Sequence, residues 1–139
     1  MHLLDTNHVS ELGYNSALGA RLRQRLKQSA SGVVTSVITV EEELRGWLAK
    51  LNQCREDDLQ IELYLKLTRR VEFLARWVVL SLDAESLSRF WSFRRQGVRI
   101  GTQDLKIACI ALAHDATVLT RNLADFRQVP GLRVENWLD

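Results

Sequence analysis

Short apolar runs alternate along this chain with longer stretches whose apolar residues recur at helical spacing, and that alternation restricts the fold to few possibilities. The runs are Leu3-Leu4 leading into Asp5, Val33 to Val37, Trp77 to Leu80 and Thr117 to Thr120, with a weaker fifth from Leu132 to Val134. Each is short and rich in leucine or β-branched residues, so each is expected to be a strand. Between them, Leu63, Leu67, Val71 and Leu74, then Leu87, Phe90 and Trp91, then Ile107, Ala108, Ala111 and Leu112, recur on helical faces. Parallel neighbours need long crossovers, which these helices supply. The expected architecture is α/β, a mostly parallel central β-sheet flanked by helices, with every apolar stripe packed into the core.

Nothing divides the chain. At 139 residues and 46% hydrophobic it has the size and apolar content of one domain, and no repeat or Gly/Ser linker interrupts residues 1–139. The only proline, Pro130, sits beside Gly131 in a turn. A formal net charge of +2 and a pI near 8.7 permit an anionic partner without requiring one. No apolar run approaches the ~20 residues that span a bilayer, so no membrane partner and a cytoplasmic location are expected. Cys54 and Cys109 belong to no CxxC or Cys/His cluster, which argues against structural zinc and for two reduced thiols.

In open α/β sheets ligands bind beyond the carboxyl ends of the strands, so acids at those ends are the candidates for chemistry. Asp5 ends the first run and is followed by Thr6 and Asn7, small polar residues able to cap a helix and turn backbone N–H groups to the crevice. Asp5 serves equally well as a cap. Glu42 follows the second run in Ser36-Val37-Ile38-Thr39-Val40-Glu41-Glu42-Glu43. If Thr39 capped the helix, Glu42 would take the capping-box position. The three glutamates diverge by about 100° per residue, so only one can face the crevice squarely. Asp104 opens the helix that follows Gly101-Thr102-Gln103 and is also explicable as a first-turn acid. After the fourth run come Thr120, Arg121, Asn122 and Asp125, with Thr120 either a cap or part of a site.

Taken together, Leu3-Leu4-Asp5-Thr6-Asn7, Ser36 to Glu42 with Gly46, Gly101 to Leu105 with Ile107-Ala108, and Thr120-Arg121-Asn122 with Asp125-Phe126 resemble the PIN-domain ribonucleases, in particular the toxins of VapBC-type toxin–antitoxin pairs. The motifs keep the family's order and spacing over nearly the whole chain. Val129 to Trp137 also resembles its closing strand. The resemblance implies a single PIN-like domain whose Asp5, Glu42 and Asp104 match the three principal acids. The fourth acidic position falls on Asn122, with Asp125 one turn later. It further implies a homodimer, a small antitoxin protein and an RNA substrate.

Crowded carboxylates repel one another unless a cation neutralises them. Mg2+ or Mn2+ suits an all-oxygen set, and such an ion can polarise a phosphoryl oxygen and activate water. On this reading Asp5 and Asp104 are metal ligands and Glu42 a ligand or water-orienting base. Asn122 and Asp125 give outer support, and Thr6, Asn7, Thr120 and Arg121 lie where substrate passes. Arg94, Arg95 and Arg99 are further candidates for phosphate contacts. The function expected is a metal-dependent endoribonuclease acting as a toxin; the alternative is a catalytically weak PIN-like module that binds RNA or protein. A haloacid-dehalogenase-type phosphatase also begins with a strand-end Asp, but usually needs a second Asp where this chain has Asn7.

Overall fold

Strand β1 (His2–Leu4) opens the chain and is followed by α1 (Thr6–Leu12), α2 (Ala17–Gln28), β2 (Val33–Ser36), α3 (Val37–Gln53) and α4 (Asp57–Leu74). Then come β3 (Val79–Leu80), α5 (Ala84–Arg95), α6 (Thr102–Ala113), β4 (Thr117–Leu119), α7 (Leu123–Phe126) and β5 (Arg133–Glu135). These elements belong to a computed structural model that describes residues 1–139.

The sheet is parallel throughout, in the order β3-β2-β1-β4-β5. Its winding reverses at β1, which has β2 on one side and β4 on the other. That reversal leaves a crevice at the carboxyl ends of β1 and β4, because the connections leaving those two strands diverge. Successive residues of a strand face opposite sides of a sheet. Leu3 and Val118 accordingly join the larger core with α5 and α6, whereas Leu4 and Leu119 join the smaller one with Val9, Leu22 and Leu74. Helix α6 is buried over most of its circumference, from Leu105 through Ala111, which holds its first turn in fixed relation to the sheet.

Several boundaries and faces differ from the sequence reading for local reasons. The second strand stops at Ser36, whose hydroxyl accepts the Thr39 N–H at 3.3 Å and caps α3. Ser36 is therefore the cap in place of Thr39, and Glu42 lies in the second turn, outside any capping box. Only Val79–Leu80 of the third run pairs with β2, while Trp77 meets the edge of Phe73 with ring centroids 6.2 Å apart. Phe90 and Leu74 reach the core, but Val71, Leu87 and Trp91 are exposed. Helical periodicity identifies a face; it does not say how deep that face sits.

Helices α1 and α2 meet closely at Gly19. A side-chain carbon there would overlap the carbonyl oxygen of Glu11 and crowd the Ser16 hydroxyl at 3.1 Å. Gly19→Ala gains up to ~1 kcal/mol of helix propensity, yet a backbone oxygen cannot rotate away, and overpacking costs about 1–3 kcal/mol. The variant is expected to unfold at lower urea concentration than the parent, with an unchanged m-value.

Candidate active site

Asp5 leaves β1 at the winding reversal. Its backbone N–H continues the sheet by donating to the Leu119 carbonyl at 3.1 Å, and it occupies the N-cap position of α1 without making a side-chain cap bond. The carboxylate is therefore not spent on capping the helix. The Thr120 hydroxyl, at the end of β4, donates to Asp5 Oδ2 at 2.5 Å and accepts the Asn122 N–H at 3.0 Å. Asp5 Oδ1 is buried without a hydrogen-bond partner.

Glu42 projects from the second turn of α3, and the Thr6 hydroxyl donates to its Oε2 at 2.6 Å. Its two neighbours face elsewhere. Glu41 is exposed, where it pairs with Arg45 at 2.9 Å and accepts from the Gln103 amide at 2.6 Å. Glu43 is buried on the far side against Arg70. The divergence of side chains around a helix thus sorts three consecutive glutamates into one facing the crevice, one on the surface and one in the interior.

Asp104 lies in the first turn of α6, where the cap is Gly101. The Asn122 amide bridges two carboxylates, donating to Asp104 Oδ2 at 3.1 Å and to Asp125 Oδ2 at 2.9 Å. Both acceptors demand N–H donors, which fixes the amide with its NH2 toward the acids. A carboxylate at this position would lack those donors and add repulsion.

Asp5, Glu42, Asp104, Asn122 and Asp125 therefore share one edge of the sheet. Of the residues expected along the substrate path, Thr6 and Thr120 are bonded into the cluster. Asn7 is exposed beside it, and Arg121 turns outward to Asp139 at 3.6 Å. Arg94 is engaged locally, donating to the Val98 carbonyl at 2.9 Å, while Arg95 and Arg99 are exposed. His8 is fully buried behind Asp5. Its Nε2 accepts the Trp137 N–H at 3.2 Å, which leaves Nδ1, 3.7 Å from Asp5 Oδ1, to carry the ring proton.

Burial raises the Glu42 carboxyl above its ordinary value; the Thr6 hydroxyl opposes this, and Asp104, Asp5 and Glu41 add repulsion. Burial likewise raises Asp104, opposed by the Asn122 amide and reinforced by Asp5 and Asp125. Groups whose folded pKa exceeds the unfolded value stabilise the fold below the unfolded pKa, and that stability is lost as pH rises through the folded pKa. In chelator, melting temperature is expected to fall as pH rises from the ordinary carboxylate range toward neutrality. Thermal melts of parent and Glu42→Gln protein across that window check this, the slope being shallower in the variant.

The donor set is entirely oxygen, which suits a hard divalent cation. No three acid, histidine or cysteine groups close tightly enough to enclose an ion directly. Mg2+ characteristically keeps several waters and takes only one or two carboxylates, so a wider, water-bridged set still fits it. The unpartnered Asp5 Oδ1, the repulsion that Asp104 and Asp5 exert on Glu42, and that of Asp5 and Asp125 on Asp104 are the features that a cation would relieve.

The sequence profile of the PIN domain family matches residues 2–132. The tRNA(fMet)-specific endonuclease VapC of Salmonella typhimurium is 30% identical over 121 residues, which cover 84% of this chain and 83% of that protein. Ribonuclease VapC1 of Haemophilus influenzae is 27% identical over 144 aligned positions, covering 99% and 98%. Among solved structures, DNA-bound VapBC from Salmonella typhimurium superposes with a TM-score of 0.72 at 28% identity, over 98% of this chain and 97% of that one.

Proposed function

The chain belongs to the PIN domain family, and from that premise we propose that it is a Mg2+- or Mn2+-dependent endoribonuclease of the cytoplasm, the toxin of a toxin–antitoxin pair. The observation that carries this reading is the convergence of Asp5, Glu42 and Asp104 at the winding reversal, where burial and repulsion raise the last two. The names of the relatives support the ribonuclease activity, and the VapBC complex among the solved structures supports pairing with an antitoxin.

Asp5, Asp104 and Glu42 would hold the ion, directly or through water. When bound, it supplies a polarised phosphoryl oxygen and a bound water of lowered pKa. The chain's own groups do the positioning. Thr120 holds Asp5 Oδ2 and so fixes the carboxylate, and Thr6 holds Glu42 Oε2 and leaves the other oxygen to orient water. Asn122 restrains Asp104 and Asp125 together without adding charge. Thr6 and Asn7 lie where the RNA backbone would approach, while Arg121 is turned outward to Asp139.

A homodimer belongs to the same reading. Val40, Leu44, Val71 and Val79 line a wholly apolar concavity beside the edge strand β3, a surface that a second copy would cover.

One feature favours a second reading, a module that binds RNA or protein without turnover: the neutral Asn122 at the fourth acidic position. Incubating purified protein with single-stranded RNA separates the two. Internal cleavage in Mg2+ or Mn2+, abolished by chelator, is expected; RNA binding with no cleavage in either ion would favour the module.

A further inference from the structure

We propose that the groove between α1, α3 and α4 is a seat for single-stranded RNA leading to the acid cluster, with Tyr14 and Trp47 stacking bases and Lys50, Lys66 and Arg69 contacting phosphates. This rests on the ribonuclease reading and extends it to residues outside the cluster.

The groove has a volume of about 370 Å³, within the ~300–1,000 Å³ typical of ligand sites. A second concavity of about 200 Å³ shares Tyr14, Trp47 and Lys50 with it and reaches Thr6 and Glu42. A strand bound in the groove would therefore lead toward the acids. On α4, Lys66, Arg69 and Phe73 recur at spacings of three and four and face the groove together. On α3, Trp47 and Lys50 do the same, with the Lys50 ammonium 4.5 Å from the Trp47 ring centroid.

The chemistry of the lining matches nucleic acid. Lys50 and Arg69 are exposed and make no ion pair, and Lys66 has only the exposed Glu62 at 3.0 Å. Arg70 is not available to a phosphate, because its guanidinium is buried against Glu43. It lies instead under the aromatic floor, 5.4 Å from the Tyr14 ring centroid and 4.7 Å from that of Phe73. Tyr14 is 56% exposed, an accessible face beside cations, which is how proteins hold unpaired strands. Duplex RNA keeps its bases stacked inside and offers no ring face to such a floor. The cations also offset the repulsion that the acid cluster alone would exert on a polyanion.

Binding of a fluorescein-labelled single-stranded RNA, followed by anisotropy over a range of salt in Mg2+, tests the assignment. The parent is Asp104→Asn protein, so that binding is read without turnover. Adding Lys50→Gln and Arg69→Gln is expected to weaken binding about tenfold or more and to reduce the slope of log K against log salt by about 1.4, at ~0.7 per lost contact to a single strand. Tyr14→Ala is expected to cost about fivefold or more. Arg21→Gln with Lys27→Gln, an equal change of charge on exposed positions of α2, controls for net charge. Groove variants that bind like this control overturn the proposal, as does a parent that does not bind RNA. An acidic peptide that needs Lys50 and Arg69 when RNA does not would assign the groove to protein instead. Wild-type protein that binds RNA through the groove but never cleaves it would refute only the ribonuclease reading.

Discussion

Asp104→Asn protein is expected to lose at least ~100-fold in RNA cleavage, more than the ~10–100-fold typical of altering a group behind a metal ligand, while folding normally. The two outcomes follow from the same geometry. Asp104 is raised first by burial, and Asp5 and Asp125 add to the effect, so its charge is a burden to the metal-free fold. An asparagine removes that charge and still presents an amide oxygen to the Asn122 N–H now bonded to Asp104 at 3.1 Å. In chelator at neutral pH the variant should melt no lower than the parent. With Mg2+ the order should reverse, because an ion that binds only the folded state raises stability in proportion to its occupancy. A variant that melts far below the parent in chelator would mean that Asp104 is structural. Full activity in a folded variant would remove it from the site.

The second large effect concerns stability. Arg70 and Glu43 form an ion pair with both side chains buried, at 7% and 5% exposure. The Arg70 Nε–H donates to Glu43 Oε2 at 2.5 Å and its second nitrogen to Oε1 at 2.6 Å. The Ser10 hydroxyl donates to Glu43 Oε1 at 3.1 Å, tying α1, α3 and α4 together. Removing one partner strands the other as an uncompensated buried charge, at a cost of about 3–5 kcal/mol. Arg70→Met is therefore expected to lower the melting temperature by on the order of 10 °C or more. Replacing both residues by apolar ones, Arg70→Met with Glu43→Leu, should restore most of the loss, since the pair's attraction chiefly offsets its own desolvation. Urea unfolding of the two single variants and the double variant measures the coupling directly. Equal losses in the single variants with no recovery in the double would show that packing, and not charge, is what the pair provides.

How much was legible in the sequence depended on whether the signal was local. The alternation of runs was enough for an α/β sheet, and Leu3-Leu4 before Asp5 marked the strand end on which the site is built. The strand ends were less sharp, because Ser36 and Val37 read as strand until the Ser36 hydroxyl is seen to start α3. Glu42 could not be separated from Glu41 and Glu43 by chemistry alone; family resemblance singled it out, and the structure gives each of the three a different surrounding. The Asn122 bridge between Asp104 and Asp125 joins α6 to the segment after β4, and no spacing rule reports such a contact. The same holds for Arg70, which in sequence is one cation among several on α4 and in space is the charged partner of a buried glutamate. The cations expected at the substrate path, Arg94, Arg95 and Arg99, lie on and just after α5. Those facing a groove beside the acids are Lys50, Lys66 and Arg69, on the end of α3 and on α4, stretches whose sequence suggested no site.

The most direct measurement of the central claim is anomalous diffraction from crystals soaked in Mn2+. A peak is expected in the space bounded by Asp5, Glu42 and Asp104, lost in Asp104→Asn crystals soaked alike. A fully soaked active protein with no peak there, or with its only peak elsewhere, would contradict it.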